Sequence, residues 1–231
     1  MRIIHIQQVG DVSIQKSPRA KRLILKINHS GRPVVVIPKY VPYIVGEKYA
    51  QAHVDWMLEH STGTHNRVLE HGMNIGKQHT LLFTSSATDT VKSRVQNGKI
   101  TVQMPLHLHQ TDTQVQLSAF KAATRAIKRE AEVYLPARLY EIARQHGYKY
   151  KSVSVKNMHT RWGSCSSERV IALNIWLMQV PEELIQYVLC HELAHLHNPH
   201  HKQTFWSELE TLDPSYKAHR MQLKSYHPNL A

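Results

Sequence analysis

Cysteine is scarce in this chain, with two residues in 231. Two thiols cannot build a disulfide framework, so the fold has to rest on packing or on a bound metal. No apolar run approaches the ~18 residues of a membrane span, and the start Met1-Arg2-Ile3-Ile4-His5 lacks the long apolar core of an export signal. The expectation is a soluble, cytoplasmic protein with no membrane partner. A glycine-rich phosphate loop is also missing, which removes the commonest nucleotide-binding device. Acidic residues are few: 17 Asp and Glu stand against 29 Lys and Arg, a formal net charge of +12. There is no internal repeat and no low-complexity tract.

Histidine is what the chain has in excess, at 18 residues. Two of them fall in His191-Glu192-Leu193-Ala194-His195, and a third candidate follows at His201. Four-residue spacing on a helix places both imidazoles on one face, one turn apart, where they can grip one metal ion. The pattern reads as a zinc hydrolase site. In a histidine-rich chain the bare pattern is only suggestive, so its context matters. Val180-Pro181-Glu182-Glu183 marks a helix start, with proline at the first helical position and acids in the first turn. Leu184, Val188, His191 and His195 then continue one apolar stripe, while Ile185, Leu189, Leu193 and Leu196 form a second beside it. The two histidines therefore point inward from a buried helix. An unpaired buried polar group costs about 1–3 kcal/mol, and one metal satisfies both rings.

Asn198-Pro199 ends the helix, because the residue before proline is pushed out of the helical region. The chain can then fold back to offer a further ligand. His197 points to another face of the helix. His200, His201 and the acids Glu208 and Glu210 stay open on spacing alone.

Elsewhere, Leu23–Ile27 and Val34–Ile37 flank Ser30-Gly31-Arg32-Pro33 as a hairpin, and Val91–Val95 and Ile100–Met104 flank Asn97-Gly98 as another. Val45, Tyr49, Ala52 and Trp56 mark an amphipathic helix between them. A long helical pattern runs from about Gln116 to Gln145, ends at Gly147 and carries Pro136 as a potential kink. Strands around 153–156 and 170–174, the histidine helix and two short helices follow. The fold class is α+β, with a β-rich N-terminal domain over 1–106 and a second domain over 114–231, divided at the aperiodic stretch Pro105–Asp112.

Thr160 to Trp206 carries Arg161-Trp162-Gly163-Ser164-Cys165-Ser166-Ser167, Ile171-Ala172-Leu173-Asn174, the His191–His195 element, His201 and Phe205-Trp206 in order. This stretch resembles the YgjP-like metallopeptidases, a family related to the SprT-like and Wss1-like zinc proteases. The resemblance extends over nearly the whole chain. It implies that residues 114–231 form a small zincin-like domain and that the third zinc ligand is His201, matched to the histidine of an Asn-His-Ser triplet. Here that triplet reads His200-His201-Lys202. The spacing of six also occurs in metzincins, but Asn198 replaces their glycine and Met221 is a poor Met-turn cue.

With three neutral imidazoles on zinc, a fourth position is left for water, whose pKa falls to about 7. Glu192 lies about 100° around the helix from His191 and is the expected general base. Arg161, His159 and Tyr226 are candidate oxyanion donors, and the resemblance suggests a supporting or substrate-groove role for Asn174. Trp162, Phe205 and Trp206 read as packing, as do Cys165 and Cys190. His107 and His109 share a strand-like face without further ligands. Lys121, Arg125, Lys128 and Arg129 share a face of the long helix, while Lys16, Arg19, Lys21, Arg22 and Lys26 crowd the first hairpin. Such charge fits either a solvated surface or contact with nucleic acid or nucleotide. The leading expectation is a zinc-dependent metallopeptidase acting on polypeptide. A metal-dependent nucleoside triphosphate pyrophosphohydrolase, or a nucleic-acid-associated protein with a structural zinc, is the alternative.

Overall fold

Alternating β-branched residues at the start of the chain build a sheet, and the computed structural model shows how it closes. It describes residues 1–7, 9–27, 33–57, 68–158 and 160–229. Strands β1 (Arg2–Ile6), β2 (Gly10–Ser17), β3 (Ile24–Ile27) and β4 (Pro33–Pro38) form a sheet in the order β1-β2-β4-β3. The β2–β4 pair is parallel and the outer pairs are antiparallel. The β3–β4 hairpin is as expected; its turn residues 30–32 lie outside the described residues. Helix α1 (Tyr43–Gln51) covers this sheet so closely that a Cβ on Gly46 would meet Ile14 Cγ2 at 2.8 Å. Val12, Ile14, Val35, Ile37, Ala50 and Met57 form a core of their own.

The second sheet repeats the plan. Strands β5 (Asn74–Ile75), β6 (His79–Ser86), β7 (Lys92–Gln96) and β8 (Lys99–Pro105) run in the order β5-β6-β8-β7, again with a parallel inner pair. Asn97 and Gly98 join β7 to β8 with φ of 50° and 70°, the conformation a two-residue hairpin with this twist requires. Helix α2 (Thr113–His146) lays an alanine-rich face on the sheet. It runs through Pro136 and stops at Gly147, whose φ of 75° is left-handed. Within α2 the buried Glu130 accepts hydrogen bonds from Lys77 N at 2.7 Å and from His79 Nδ1 at 3.2 Å, which ties the β5–β6 turn to the helix.

A three-stranded sheet follows, of β9 (Ser152–Lys156), β10 (Gly163–Cys165) and β11 (Val170–Asn174), in the order β10-β11-β9. A 3-10 turn over Ile175–Gln179 leads into α3 (Glu182–Ala194), then α4 (Gln203–Leu212) and α5 (Tyr216–Leu223).

The chain separates into two compact units, Met1–Val68 and Leu69–Ala231. The sequence places the division at 105–112 instead, and the difference has a physical reason. The sheet β5–β8 alternates, so Leu81, Phe83, Ile100 and Val102 make one apolar face that needs a cover. Helix α2 supplies it, and the same core runs on to Leu139, Leu189 and Leu193. No helix among the described residues is long and apolar enough to cross a membrane.

Candidate metal centre

Helix α3 begins after Pro181 and buries Leu184, Ile185, Val188, Leu189, Leu193 and Ala194, so its inward face is fixed before its histidines are reached. His191 lies in the last turn and His195 caps the end, their ring centroids 4.8 Å apart. The His195 Nδ1–H donates to the Asn198 carbonyl at 3.0 Å, which leaves Nε2 as the free lone pair. The turn through Asn198 brings the chain back, and His201 arrives with its Nε2 at 3.1 Å from His191 Nε2. One nitrogen from each of His191, His195 and His201 lies within 4.8 Å of the other two.

Residues further on support these rings. Phe205 is fully buried, with its centroid 4.9, 4.6 and 4.7 Å from His191, His195 and His201. Trp206 stacks on His201 at 5.5 Å and donates its indole N–H to the His201 carbonyl at 3.1 Å. Tyr216 also stacks on Trp206, at 5.7 Å, and the Arg220 guanidinium lies 4.6 Å from the Trp206 ring. The aromatic pair read from the sequence as packing does pack, and what it packs is the histidine cluster.

The donor set fits a metal. A shared proton satisfies at most one pair of imidazole lone pairs, whereas a single cation satisfies all three. Burial and the neighbouring His195 and His201 lower the His191 pKa to about 3, so this ring keeps its lone pair. His191 Nδ1 and Glu192 Oε2 are buried without a hydrogen-bond partner among the described residues.

Glu192 is 4 % exposed, and burial raises its pKa to about 8 against the opposing pull of Arg161. Its neighbour is the backbone of β10. A Cβ on Gly163 would lie 2.5 Å from Glu192 Oε1 and 2.8 Å from its Cγ. The glycine of Arg161-Trp162-Gly163-Ser164-Cys165 is therefore the space in which the carboxylate sits. Asn174, fully buried, donates to the carbonyls of Met158 and Arg161 at 2.7 Å each and accepts from the Met158 and Trp176 amides. It pins the segment that carries Arg161 and does not face the groove. A cavity of about 470 Å³ opens over the cluster, lined by His191, Glu192, His195 and His201, by Arg161 and Arg169, and by Ser164, Cys165 and Ser166.

Other expected candidates lie elsewhere. His200 is exposed and outside the cluster. Glu208 is bound by Tyr148, His197 and Asn198, and Glu210 faces Lys217 at 3.8 Å. Tyr226 packs against the core and is not among the cavity residues; His159 is outside the described residues. Met221 is 64 % exposed, and His107 and His109 join no metal-binding group among the described residues. Sequence reasoning missed Gly163 as the seat of Glu192, although a glycine inside a strand is a signal of close approach.

Among solved structures the chain is similar to two metallopeptidase zymogens. Abylysin of Pyrococcus abyssi shares 24 % identity over 42 % of this chain and 99 % of its own, with a TM-score of 0.37. Jannalysin of Methanocaldococcus jannaschii shares 20 % over 39 % of this chain and 94 % of its own, with a TM-score of 0.36. No curated protein matches the sequence. Residues 21–226 match the family described as YgjP-like, metallopeptidase domain, and the chain belongs to that family.

Proposed function

We propose that the protein is a zinc-dependent peptidase in which Glu192 activates the attacking water. The observation that carries this reading is the cluster of His191, His195 and His201 at the base of the cavity, with the buried Glu192 carboxylate beside it. Zinc held by the three rings would supply Lewis acidity and lower the pKa of water to about 7. The buried Glu192 carboxyl, held in its ionised form by the positive charge of a bound zinc, accepts the proton of the water at Oε2 and passes it to the leaving amine. Arg161, at the same cavity, faces the negative charge that develops on the scissile carbonyl. Strand β10 is the edge of its sheet, so its free backbone groups suit an extended polypeptide laid alongside.

A second reading is favoured by one observation. Arg161 and Arg169 line the cavity with Ser164, Ser166 and Ser167, a set that also suits a triphosphate. Zinc content and hydrolysis of casein-like polypeptide and of nucleoside triphosphates, measured side by side for wild type and Glu192→Gln, decide between them. The expected result is zinc retained and polypeptide hydrolysis reduced by about 10²–10⁴-fold. Hydrolysis undiminished in Glu192→Gln with zinc bound refutes the mechanism, and loss confined to triphosphate cleavage transfers the site to the second reading.

A further inference from the structure

The sheet β5–β8 has two unlike faces. Leu81, Phe83, Ile100 and Val102 face α2, and the residues between them face away. On that outer face the register sets Leu82 beside Thr101 and Thr84 beside Gln103, then pairs Arg94 with Thr101, Lys92 with Gln103 and Gln96 with Lys99. Lys92, Arg94 and Lys99 are exposed, and none of them forms an ion pair among the described residues. The strand positions between Thr80 and Gln103 on this face contain neither an acid nor an aromatic ring.

Helix α2, on the opposite side of the sheet, is basic as well. From Thr113 to Arg129 it has no acid and four cations, Lys121, Arg125, Lys128 and Arg129, all exposed. Arg125 reaches the Ser93 hydroxyl of the edge strand β7 at 3.4 Å, on the side of the sheet that α2 covers, so its charge lies across the sheet from Lys92 and Arg94. Between residues 79 and 129 the acids are Asp89 and Asp112, and Asp112 is engaged by the His109 amide. The net charge of the chain is thus not evenly spread.

We infer that the outer face of β6–β8 forms a docking surface for the phosphate backbone of duplex nucleic acid. Cations at alternate positions of a strand stand about 7 Å apart, and the threonines and glutamines between them are hydrogen-bonding partners for phosphate oxygens. An anionic membrane is disfavoured because, among the described residues, the outer face offers little apolar side chain to insert: Leu82 is half-buried and Pro105 is buried. Single strands are disfavoured because the described residues of this outer face include no aromatic side chain for bases to stack on. Contact is with the backbone and is independent of sequence.

The test is fluorescence anisotropy of the full chain with a short labelled DNA duplex, over a range of salt concentrations. The wild type binds at low salt, and binding weakens steeply as salt rises, because each phosphate contact releases counterions. The triple variant Lys92→Gln, Arg94→Gln, Lys99→Gln loses more than about tenfold in affinity and about three units of log–log salt slope. A control that removes the same charge from the N-terminal unit, Lys16→Gln, Lys21→Gln, Lys26→Gln, stays near wild type. Equal loss in the control, no duplex binding at low salt, tighter binding of the single strand, or equal binding to phosphatidylserine vesicles overturns the inference. Glu192→Gln binds as wild type does, which separates this surface from the metal centre; loss of binding there overturns the inference too.

Discussion

Glu192 and Gly163 occupy one space, and neither tolerates change in the other. Methylation of the glycine Cα puts carbon within 2.5 Å of a carboxylate that is 4 % exposed, so the carboxylate has to move. Gly163→Ala is therefore expected to displace the carboxylate while leaving the three histidines in place. A misplacement of about 1 Å is worth on the order of 10²-fold in rate. Zinc content by elemental analysis and turnover of a peptide substrate check it: zinc stays and kcat falls. A variant with unchanged kcat refutes the close fit. At the same scale, His201→Ala is expected to lose zinc and His200→Ala to keep it, since His200 stands outside the cluster. Spacing could not separate these two neighbours, because a turn after Pro199 can present either one. Stacking of His201 on Trp206 and the bond from the Trp206 indole to the His201 carbonyl hold that ring beside His191 and His195, and both depend on the position of α4 in space. The inward histidine pair, in contrast, was legible, because the stripe from Leu184 to His195 needs no tertiary knowledge.

Element by element, α4 serves α3. Phe205 sits under all three imidazoles, so it fills core volume and sets ligand positions at once. Phe205→Ala is expected to destabilise the fold by about 3–5 kcal/mol and to release zinc to a chelator at lower concentration. Phe205→Leu, which keeps most of the volume, should recover stability better than it recovers zinc affinity. Thermal melts and chelator competition on both variants check the pair. Cys190, in α3, gives a pH prediction. Its thiol is buried and pushed up to about 12, chiefly by burial. In the unfolded chain the thiol ionises at its ordinary value, so the folded state holds the proton more tightly in between. Stability from this group is full below the ordinary value and is lost as pH rises towards 12, by on the order of 1 kcal/mol per pH unit. Cys190→Ala should flatten the alkaline fall, measured as urea midpoints across that range.

Over the whole molecule, the element types were legible and the partition was not. The hairpin at Asn97-Gly98, the long helix to Gly147 and the histidine helix follow from local pattern. The partition fails because the stretch 105–112 looks like a linker, while the half-apolar face of β6 and β8 does not reveal which helix covers it. The two divisions predict different fragments. Residues 69–231 carry a complete core and are expected to fold cooperatively and bind zinc; residues 107–231 leave the alanine face of α2 uncovered and are expected to be molten. Circular dichroism melts of the two fragments check this, and a cooperative melt for the shorter one restores the division read from the sequence.

The duplicated strand order bears on how the chain is made. Sheet β1–β4 and sheet β5–β8 share one plan, each with its last two strands as a hairpin and a parallel partner waiting upstream. Two interchangeable frames in one polypeptide invite exchange, with β8 taking the place of β4 beside β2, a known hazard of repeated architectures. Vectorial synthesis removes the ambiguity in time, since β4 and α1 leave the ribosome before β5 exists. The strands differ as well: β4 reads Val34-Val35-Val36-Ile37 without alternation, whereas β8 alternates, so a swapped β8 would bury Lys99 or Thr101 in place of an apolar residue. Refolding from denaturant, where all eight strands compete at once, should thus yield less native protein than synthesis does.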